Sequence, residues 1–586
     1  MQPENYSVDV IIVGAGVGGL AAAKTYLELS PQTNLLLLEK RPTLGGVWAE
    51  ENCYEGLKTN NLHGTYEFTD FPMDAKYNVR EGQHIPGTVL HQYFNDFADH
   101  FDLRRRVKFN TQVLAVEKLD KGWKVKVTNV NETATASSPS VIYVCDKLII
   151  STGLASTPNP VRVPGQEDFG KPVFNHSRLQ DLGAKMAYDP DVTSVTVVGA
   201  SKTGYDAVHL MASHGKKVNW VIRESGGGGV WMAHPWVKLG RLGDFRLEHL
   251  ATMRFFSWFS PCIWGDADGF SYIRSALHKT RLGRYIVHNF WENMRSDIIE
   301  TNGYRKESVL EHLEPQESLF WSARVGILNY PSDIHEYLRT GQVKIIKQDI
   351  DHLSSTGNVH FANGTTIQTD ALIAITGWNL APTMKYQPDG LDAELGVPSL
   401  LGSQTAQQQS LWNGLNKSAD ETILRQFPYL ACPPEMKIPY KQLLSPFRLY
   451  RGIAPPNLTS QSDHSLAYIK MVHSTSNMII AEVQALWIYA YLNGQLNLDN
   501  EDVYHQTALL SRFGKHRYPC GFSAWYPEFV YDAIPYADML LRDLNVRNWR
   551  KPSWLKEMFE GYTIHDYKGI TREWMEEGNK SAKKAV

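Results

Sequence analysis

The sequence predicts an α/β chain in which one strand, glycine turn and helix unit occurs twice. Three observations carry that reading. Residues 8–13 (VDVIIV) form an apolar, β-branched run of strand length. It leads straight into Gly14-Ala-Gly16-Val-Gly18-Gly19 and then the helical pattern LAAAKTYLEL. Residues 194–198 (SVTVV) lead in the same way into Gly199-Ala-Ser201-Lys202-Thr203-Gly204 and YDAVHLMASHG. Each helix is followed by a second apolar run, 34–38 (NLLLL) and 218–222 (VNWVI), so both units read as parallel strand, helix, strand.

In the first unit each glycine has a separate reason. Gly14 permits the tight turn, Gly16 admits a pyrophosphate against the backbone, and Gly19 lets the helix lie close to the strand, its N-terminus facing the phosphates. The second strand ends in Glu39, 20 residues after Gly19. A carboxylate there accepts hydrogen bonds from an adenosine ribose and repels a 2′-phosphate, so this unit is expected to hold FAD or NAD. In the second unit Ser201 replaces the middle glycine, and the strand ends in Arg223 rather than an acid. An arginine pairs with a 2′-phosphate, which predicts NADP, with Lys202 as a candidate helper. One unit excluding that phosphate and another inviting it imply electron flow from NADPH to a bound flavin.

Bulk composition is compatible with this. The chain has 586 residues, 43% hydrophobic and 21% charged, long enough for two or three packed domains. A net charge of -3 gives no electrostatic reason for nucleic acid or an anionic membrane as partner. Cys53, Cys145, Cys262, Cys432 and Cys520 stand singly, without CxxC spacing, which suggests neither a disulfide framework nor a metal site. The N-terminus has no secretory pattern, so a cytoplasmic location is expected. Residues 478–492 (MIIAEVQALWIYAYL) are too short to span a bilayer and read as a buried helix.

Further motifs bring in a family. Gly45-Gly46-Val47-Trp48, Leu57-Lys58-Thr59-Asn60, Tyr66-Glu67-Phe68-Thr69-Asp70-Phe71-Pro72, and the strand ends Thr152-Gly153 and Thr376-Gly377-Trp378 resemble motifs of the flavin-containing monooxygenases, a branch of the class B flavoprotein monooxygenases. Thr111-Gln112-Val113, Leu449-Tyr450-Arg451, Glu482-Val-Gln484-Ala and residues 536–551 are similar to further family segments. The resemblance implies FAD contacts from Gly14, Gly16, Gly19, Glu39, Gly46, Val47, Trp48, Asn60, Val113, Gly153 and Gly377. It implies NADP contacts from Gly199, Ser201, Lys202, Thr203, Gly204 and Arg223. Asn60 is the implied catalytic residue, since a neutral amide can bond a flavin peroxide without donating a proton that expels hydrogen peroxide. Asn61 matches no family position.

The family fingerprint FxGxxxHxxx(F/Y) is degraded near Phe169-Gly170…His176; its Baeyer–Villiger form, with Trp as the last aromatic, is absent, and His176 is left as a candidate for the nicotinamide ribose.

The expected organisation is FAD domain at 1–165, NADP domain at 166–335 with a helical, aromatic-rich insertion at 231–325, FAD domain again at 336–500, and a C-terminal helical extension at 501–586. Residues 129–140 and NKSAKKAV are expected as loop and frayed tail, and Ser225-Gly229 as a mobile connector. The aromatic insertion reads either as a roof over the active site or as an ordinary core.

The expected activity is FAD- and NADPH-dependent insertion of one oxygen atom from O2 into a bulky organic molecule, through a flavin C4a-(hydro)peroxide, at N, S or C. Baeyer–Villiger oxidation is the alternative. A flavin reductase or oxidase, or a non-catalytic nucleotide-binding scaffold, is the second; a disulfide reductase would need a cysteine pair.

Overall fold

A computed structural model describes residues 5–131, 141–238, 244–435 and 443–585. Two sheets organise it. At the centre of an eight-stranded sheet lies Asn5–Val13, paired in parallel with Leu35–Leu38 on one side and Val141–Ile150 on the other. The far edge of Val141–Ile150 is shared. Trp123–Asn129 runs antiparallel along its first half, and Leu466–Tyr468 runs parallel along its second. Ile11, Ile12, Leu37, Leu148 and Ile149 are fully buried, as continuous apolar runs in a sheet covered on both faces should be.

The second sheet is five parallel strands in the order Val343–Ile346, Lys217–Val221, Ser194–Val198, Ala371–Ala374, Val173–Asn175. Its membership corrects the expected return to the first domain at 336. Val343–Ile346 and Ala371–Ala374 are both apolar enough to be buried strands, but their backbone partners are the second unit's strands. The chain rejoins the first sheet only at Lys385–Gln387, which pairs with Thr111–Lys118. Local apolar patterning predicts a strand without saying which sheet it joins.

The region 231–325 holds the helices Leu247–Ala251, Arg254–Ser257, Ser271–Lys279 and Arg281–Asn302. Its aromatics are divided: Phe255, Phe256, Phe270 and Trp321 are half-buried and Trp236 is exposed. Trp231, Trp258, Trp264 and Trp291 are buried. Trp264 meets Phe513 and Phe529, and Trp291 meets Tyr531, so these rings join the insertion to the C-terminal segment. Arg254 is wholly buried there, donating to Asp538 at 2.6 Å and Glu557 at 2.9 Å. Arg517 is enclosed by Trp291, Phe320, Tyr518 and Tyr531. A buried guanidinium needs such partners, and losing one carboxylate leaves an uncompensated charge.

The run Ser225–Gly229 is pinned rather than a mobile connector. The Arg324 guanidinium donates to the carbonyls of Gly227, Gly228 and Gly229, and Ser225 donates to Asp349. The C-terminal helix Ile570–Ala585 continues through the expected tail. Asn129 ends a strand, and residues 132–140 of the expected loop lie outside the described residues. Asn477–Leu492 is a buried helix packed on Val17–Leu29. Among the described residues no helix is long and apolar enough to cross a membrane.

Candidate functional site: two dinucleotide turns and the strand between them

In the first turn Gly14 has φ +104°, and a Cβ there would lie 2.4 Å from the Ser151 carbonyl oxygen. A Cβ on Gly19 would lie 1.9 Å from the Gly14 oxygen, which fixes the helix against the turn. Gly16 is the N-cap of Val17–Leu29 and supplies no side-chain cap, so the first N–H groups of the helix face outward unsatisfied by a side chain. The turn carrying Gly46 lies against Gly16; a Cβ on Gly46 would be 3.2 Å from the Gly16 Cα. Glu39 is buried, accepting from Ala15 N at 2.8 Å and Arg41 N at 2.9 Å. Burial pushes its carboxyl upward while those two N–H groups pull it back. An uncapped helix start, closely apposed glycine backbones and a fixed acid at the next strand end fit the pyrophosphate and adenosine ribose of FAD.

Trp48 is buried and donates from Nε1 to the Tyr66 hydroxyl at 3.0 Å, whereas Val47 is exposed. Val113 is buried on Thr111–Lys118, whose first residue donates its N–H to the Glu39 carbonyl at 2.8 Å, beside the adenosine end. Gly153, φ +68°, follows Val141–Ile150 and has open space where a Cβ would stand.

Gly377 lies at the expected crossing between the two units. It follows Ala371–Ala374, a strand of the second sheet, and its carbonyl accepts from Asn159 N at 3.0 Å. Thr376 donates to the Asn159 carbonyl at 2.6 Å. Gly377 therefore belongs to the crossing between the two units, where Pro158 pairs with Trp378, and is not an end of the first sheet.

The second turn repeats the first. Gly199 has φ +112°, and a Cβ on Gly204 would lie 2.3 Å from the Gly199 oxygen. Ser201 is the N-cap of Lys202–Ser213, also without a side-chain cap, and Thr203 is half-buried in the first turn. Arg223 is exposed at its strand end, with no ion pair among the described residues. Lys202 is not its companion. Its ammonium donates to Asp206, to Asn329 Oδ1 at 2.9 Å and to the Tyr330 hydroxyl at 3.1 Å. His176 is buried edge-on against Trp378 with neither ring nitrogen bonded, and burial pushes it down to about 4.

Between the two turns in sequence comes the strand Lys58–Leu62, paired with His84–Pro86. Asn60 is exposed and its side chain has no partner among the described residues. Its neighbours are held from two directions. Asn329 Nδ2 donates to the Thr59 carbonyl at 3.0 Å and the Lys58 carbonyl at 3.3 Å. Glu248, from the insertion, accepts from Asn61 Nδ2 at 3.1 Å, Leu62 N at 3.2 Å and Thr65 Oγ1 at 2.8 Å. Asp206, buried on the second unit's helix, accepts from Tyr54 at 2.8 Å and Tyr330 at 2.7 Å as well as from Lys202. A continuous polar chain thus runs from the second turn, through Lys202 and Asn329, to the backbone beside Asn60. Sequence reasoning missed Asp206, Asn329, Tyr330 and Glu248. Asp206 stands four residues after Lys202, a legible helix pair; the other three come from distant segments and carry no local signal.

Two dinucleotide turns on one chain, the first ending in an acid and the second in an arginine, define a flavin- and nicotinamide-dependent oxidoreductase. Residues 11–238 match the pyridine nucleotide-disulphide oxidoreductase family model. The chain is 33% identical to the FAD-dependent monooxygenase rstn6 of Aspergillus nomiae, across 97% of this chain and 98% of that protein. An FAD-dependent monooxygenase of Pyrenophora dematioidea is 34% identical, across 94% and 100% respectively. In fold the chain is similar to a cyclohexanone-bound cyclohexanone monooxygenase (TM-score 0.59, 16% identity, 92% and 98% covered) and to an oxidised steroid monooxygenase bound to NADP (TM-score 0.55, 17% identity, 98% and 98% covered). The chain belongs to the FAD-dependent monooxygenases. It is a flavin-dependent monooxygenase, with FAD as the cofactor that its family uses.

Proposed function

We propose that this enzyme uses NADPH and O2 to place one oxygen atom on nitrogen, sulfur or carbon of a bulky organic substrate. The observation that carries the proposal is Asn60, an unpartnered amide on a strand whose backbone is clamped on both sides of it. FAD, when bound, supplies the reaction with oxygen activated by electrons taken from NADPH. The chain's own residues do the rest. Glu39 and the uncapped start of Val17–Leu29 hold the dinucleotide, and Arg223 selects the phosphorylated nicotinamide cofactor. Asn60 offers both a donor and an acceptor and has no titratable proton to release at neutral pH. The clamps through Asn329 and Glu248 keep that amide from turning toward internal partners.

The cysteines argue against disulfide reduction. All five are free. Burial pushes the Cys53 and Cys520 thiols up to about 11 and Cys145 up to about 12, away from a reactive thiolate.

The test is NADPH oxidation by the purified yellow protein under 18O2, with thioanisole and cyclohexanone as probes. Labelled sulfoxide is the expected product. A labelled lactone without sulfoxide would move the chemistry to Baeyer–Villiger oxidation, and failure of NADPH to bleach the bound flavin would remove the electron path altogether.

A further inference from the structure

Four parallel strands of the first sheet end in a row. Leu38, Val13, Ile150 and Tyr468 are in register across it. Beyond these ends stand Glu39, Gly14, Ser151 and the Ile469-Lys470 pair. With strands about 4.8 Å apart, Glu39 and Lys470 mark opposite ends of a row about 14 Å long. A dinucleotide with its adenosine ribose on Glu39 and its pyrophosphate at Gly14–Gly16 extends its other half over Ser151 toward Lys470.

Lys470 is an unusual occupant of that end. It is a non-glycine residue at φ +59°, in the left-handed region, and Gln484 accepts its backbone N–H at 3.0 Å to hold it there. Gln484 is itself held by a bond to the Tyr536 hydroxyl at 2.8 Å. The Lys470 side chain crosses Gly18, where a Cβ would lie 2.9 Å from its Cγ, so a larger residue at Gly18 would displace it. Its ammonium donates to Asn477 Oδ1 at 2.8 Å. Asn477 is the first residue of Asn477–Leu492, whose N-cap provides no side-chain bond. The positive end of that helix disfavours a cation. No carboxylate pairs with Lys470 among the described residues, and burial pushes its ammonium down to about 7. A lysine placed against a helix N-terminus, in a strained backbone and without a counter-charge, lacks an anion.

We propose that Lys470 is a flavin-binding residue whose ammonium faces the N1–C2=O edge of the isoalloxazine ring, and that it stabilises the charge this edge carries once the flavin is reduced. Hydride transfer moves two electrons and one proton from NADPH, leaving NADP⁺; unless a further proton is taken up, the flavin keeps one negative charge shared by N1 and the C2 oxygen. Lys470 and the N-terminus of Asn477–Leu492 then act in the same direction on that charge, and their mutual repulsion is relieved. This rests on the placement of FAD along the first sheet.

The experiment is the two-electron reduction potential of the flavin in wild-type, Lys470→Met, Lys470→Gln and Lys470→Arg holoenzymes, equilibrated against a reference dye, alongside FAD affinity. Both neutral variants are expected to lose about tenfold in preference for reduced over oxidised flavin, a fall of about 30 mV for a two-electron couple, and the arginine variant to keep the wild-type value. An unchanged potential in Lys470→Met and Lys470→Gln overturns the proposal, including the case in which FAD affinity falls equally for both redox forms, which would assign Lys470 to the pyrophosphate. Should both neutral variants fold without retaining FAD, reconstitution at saturating FAD allows the same potential to be read. The underlying placement fails separately, when Glu39→Ala leaves FAD affinity unchanged.

Discussion

The two dinucleotide turns are built to one plan and differ where their ligands differ. In both, a glycine at positive φ begins the turn, and another glycine five residues later lies so close that a Cβ would meet the first one's carbonyl oxygen, at 1.9 Å in the first turn and 2.3 Å in the second. The middle position differs because its surroundings do. Gly16 has the Gly46 turn against it, with a would-be Cβ 3.6 Å from the Gly46 Cα. In the second unit, the segment after the second strand is tied to Arg324 and Asp349. The acceptor end differs most. Glu39 is buried and doubly bonded to backbone, fixed before any ligand arrives. Arg223 is exposed and free. One turn has its charged group fixed by backbone bonds, and the other leaves its charge in solvent.

The sharpest way to break that comparison is to add one methyl group to each turn. Gly19→Ala should yield colourless protein, because no backbone adjustment accommodates a carbon 1.9 Å from an oxygen. Gly204→Ala should stay yellow and lose reduction by NADPH. Flavin absorbance per chain after purification checks this, and equal flavin loss in both would mean the turns do not act separately.

Next in size is Arg223→Ala. Removing charged hydrogen bonds worth about 1.5–3 kcal/mol should raise the KM for NADPH about 10- to 100-fold and leave that for NADH unchanged. Equal changes for both coenzymes would sink the assignment of this arginine to the 2′-phosphate.

Asn60→Ala tests the strand between the turns. Hydrogen peroxide released per NADPH consumed should rise several-fold, with anaerobic flavin reduction within about twofold of wild type. Unchanged coupling would take Asn60 out of the mechanism.

The smallest effect concerns the link from the second turn to that strand. Asp206→Asn keeps the shape of the side chain but withdraws the counter-charge from Lys202, which is partly exposed and keeps Asn329 and Tyr330 as partners, and a loss of about 1–3 kcal/mol is expected. This should appear as a drop in Tm of a few degrees with FAD content unchanged. If Asn329 positions Asn60 through this link, Asp206→Asn also raises peroxide release. A lower Tm with wild-type coupling would confine Asp206 to stability.

Much of the site was legible because its requirements are local. Gly19 and Gly204 are demanded by backbone approaches within their own turns, Gly14 and Gly199 by the positive φ that begins each turn, and Glu39 and Arg223 lie at fixed distances along a strand-helix-strand unit, so sequence spacing alone points to two dinucleotide folds and the opposed charges at their strand ends. Sheet membership was not legible. Ala371–Ala374 and Leu466–Tyr468 are equally apolar, yet one joins the second sheet and the other the first, because long-range pairing chooses the partner. For the same reason the pairing of Lys202 with Asn329 and Tyr330 was not legible. The clamps on Asn60's strand come from residues 248 and 329, and Lys470 lies more than 430 residues from Glu39, at the other end of the same row of strand ends. Sequence by itself determined the local turns and the charges they carry; which distant side chains surround them was decided only by tertiary packing, since contact between remote segments leaves no periodic or spaced trace along the chain.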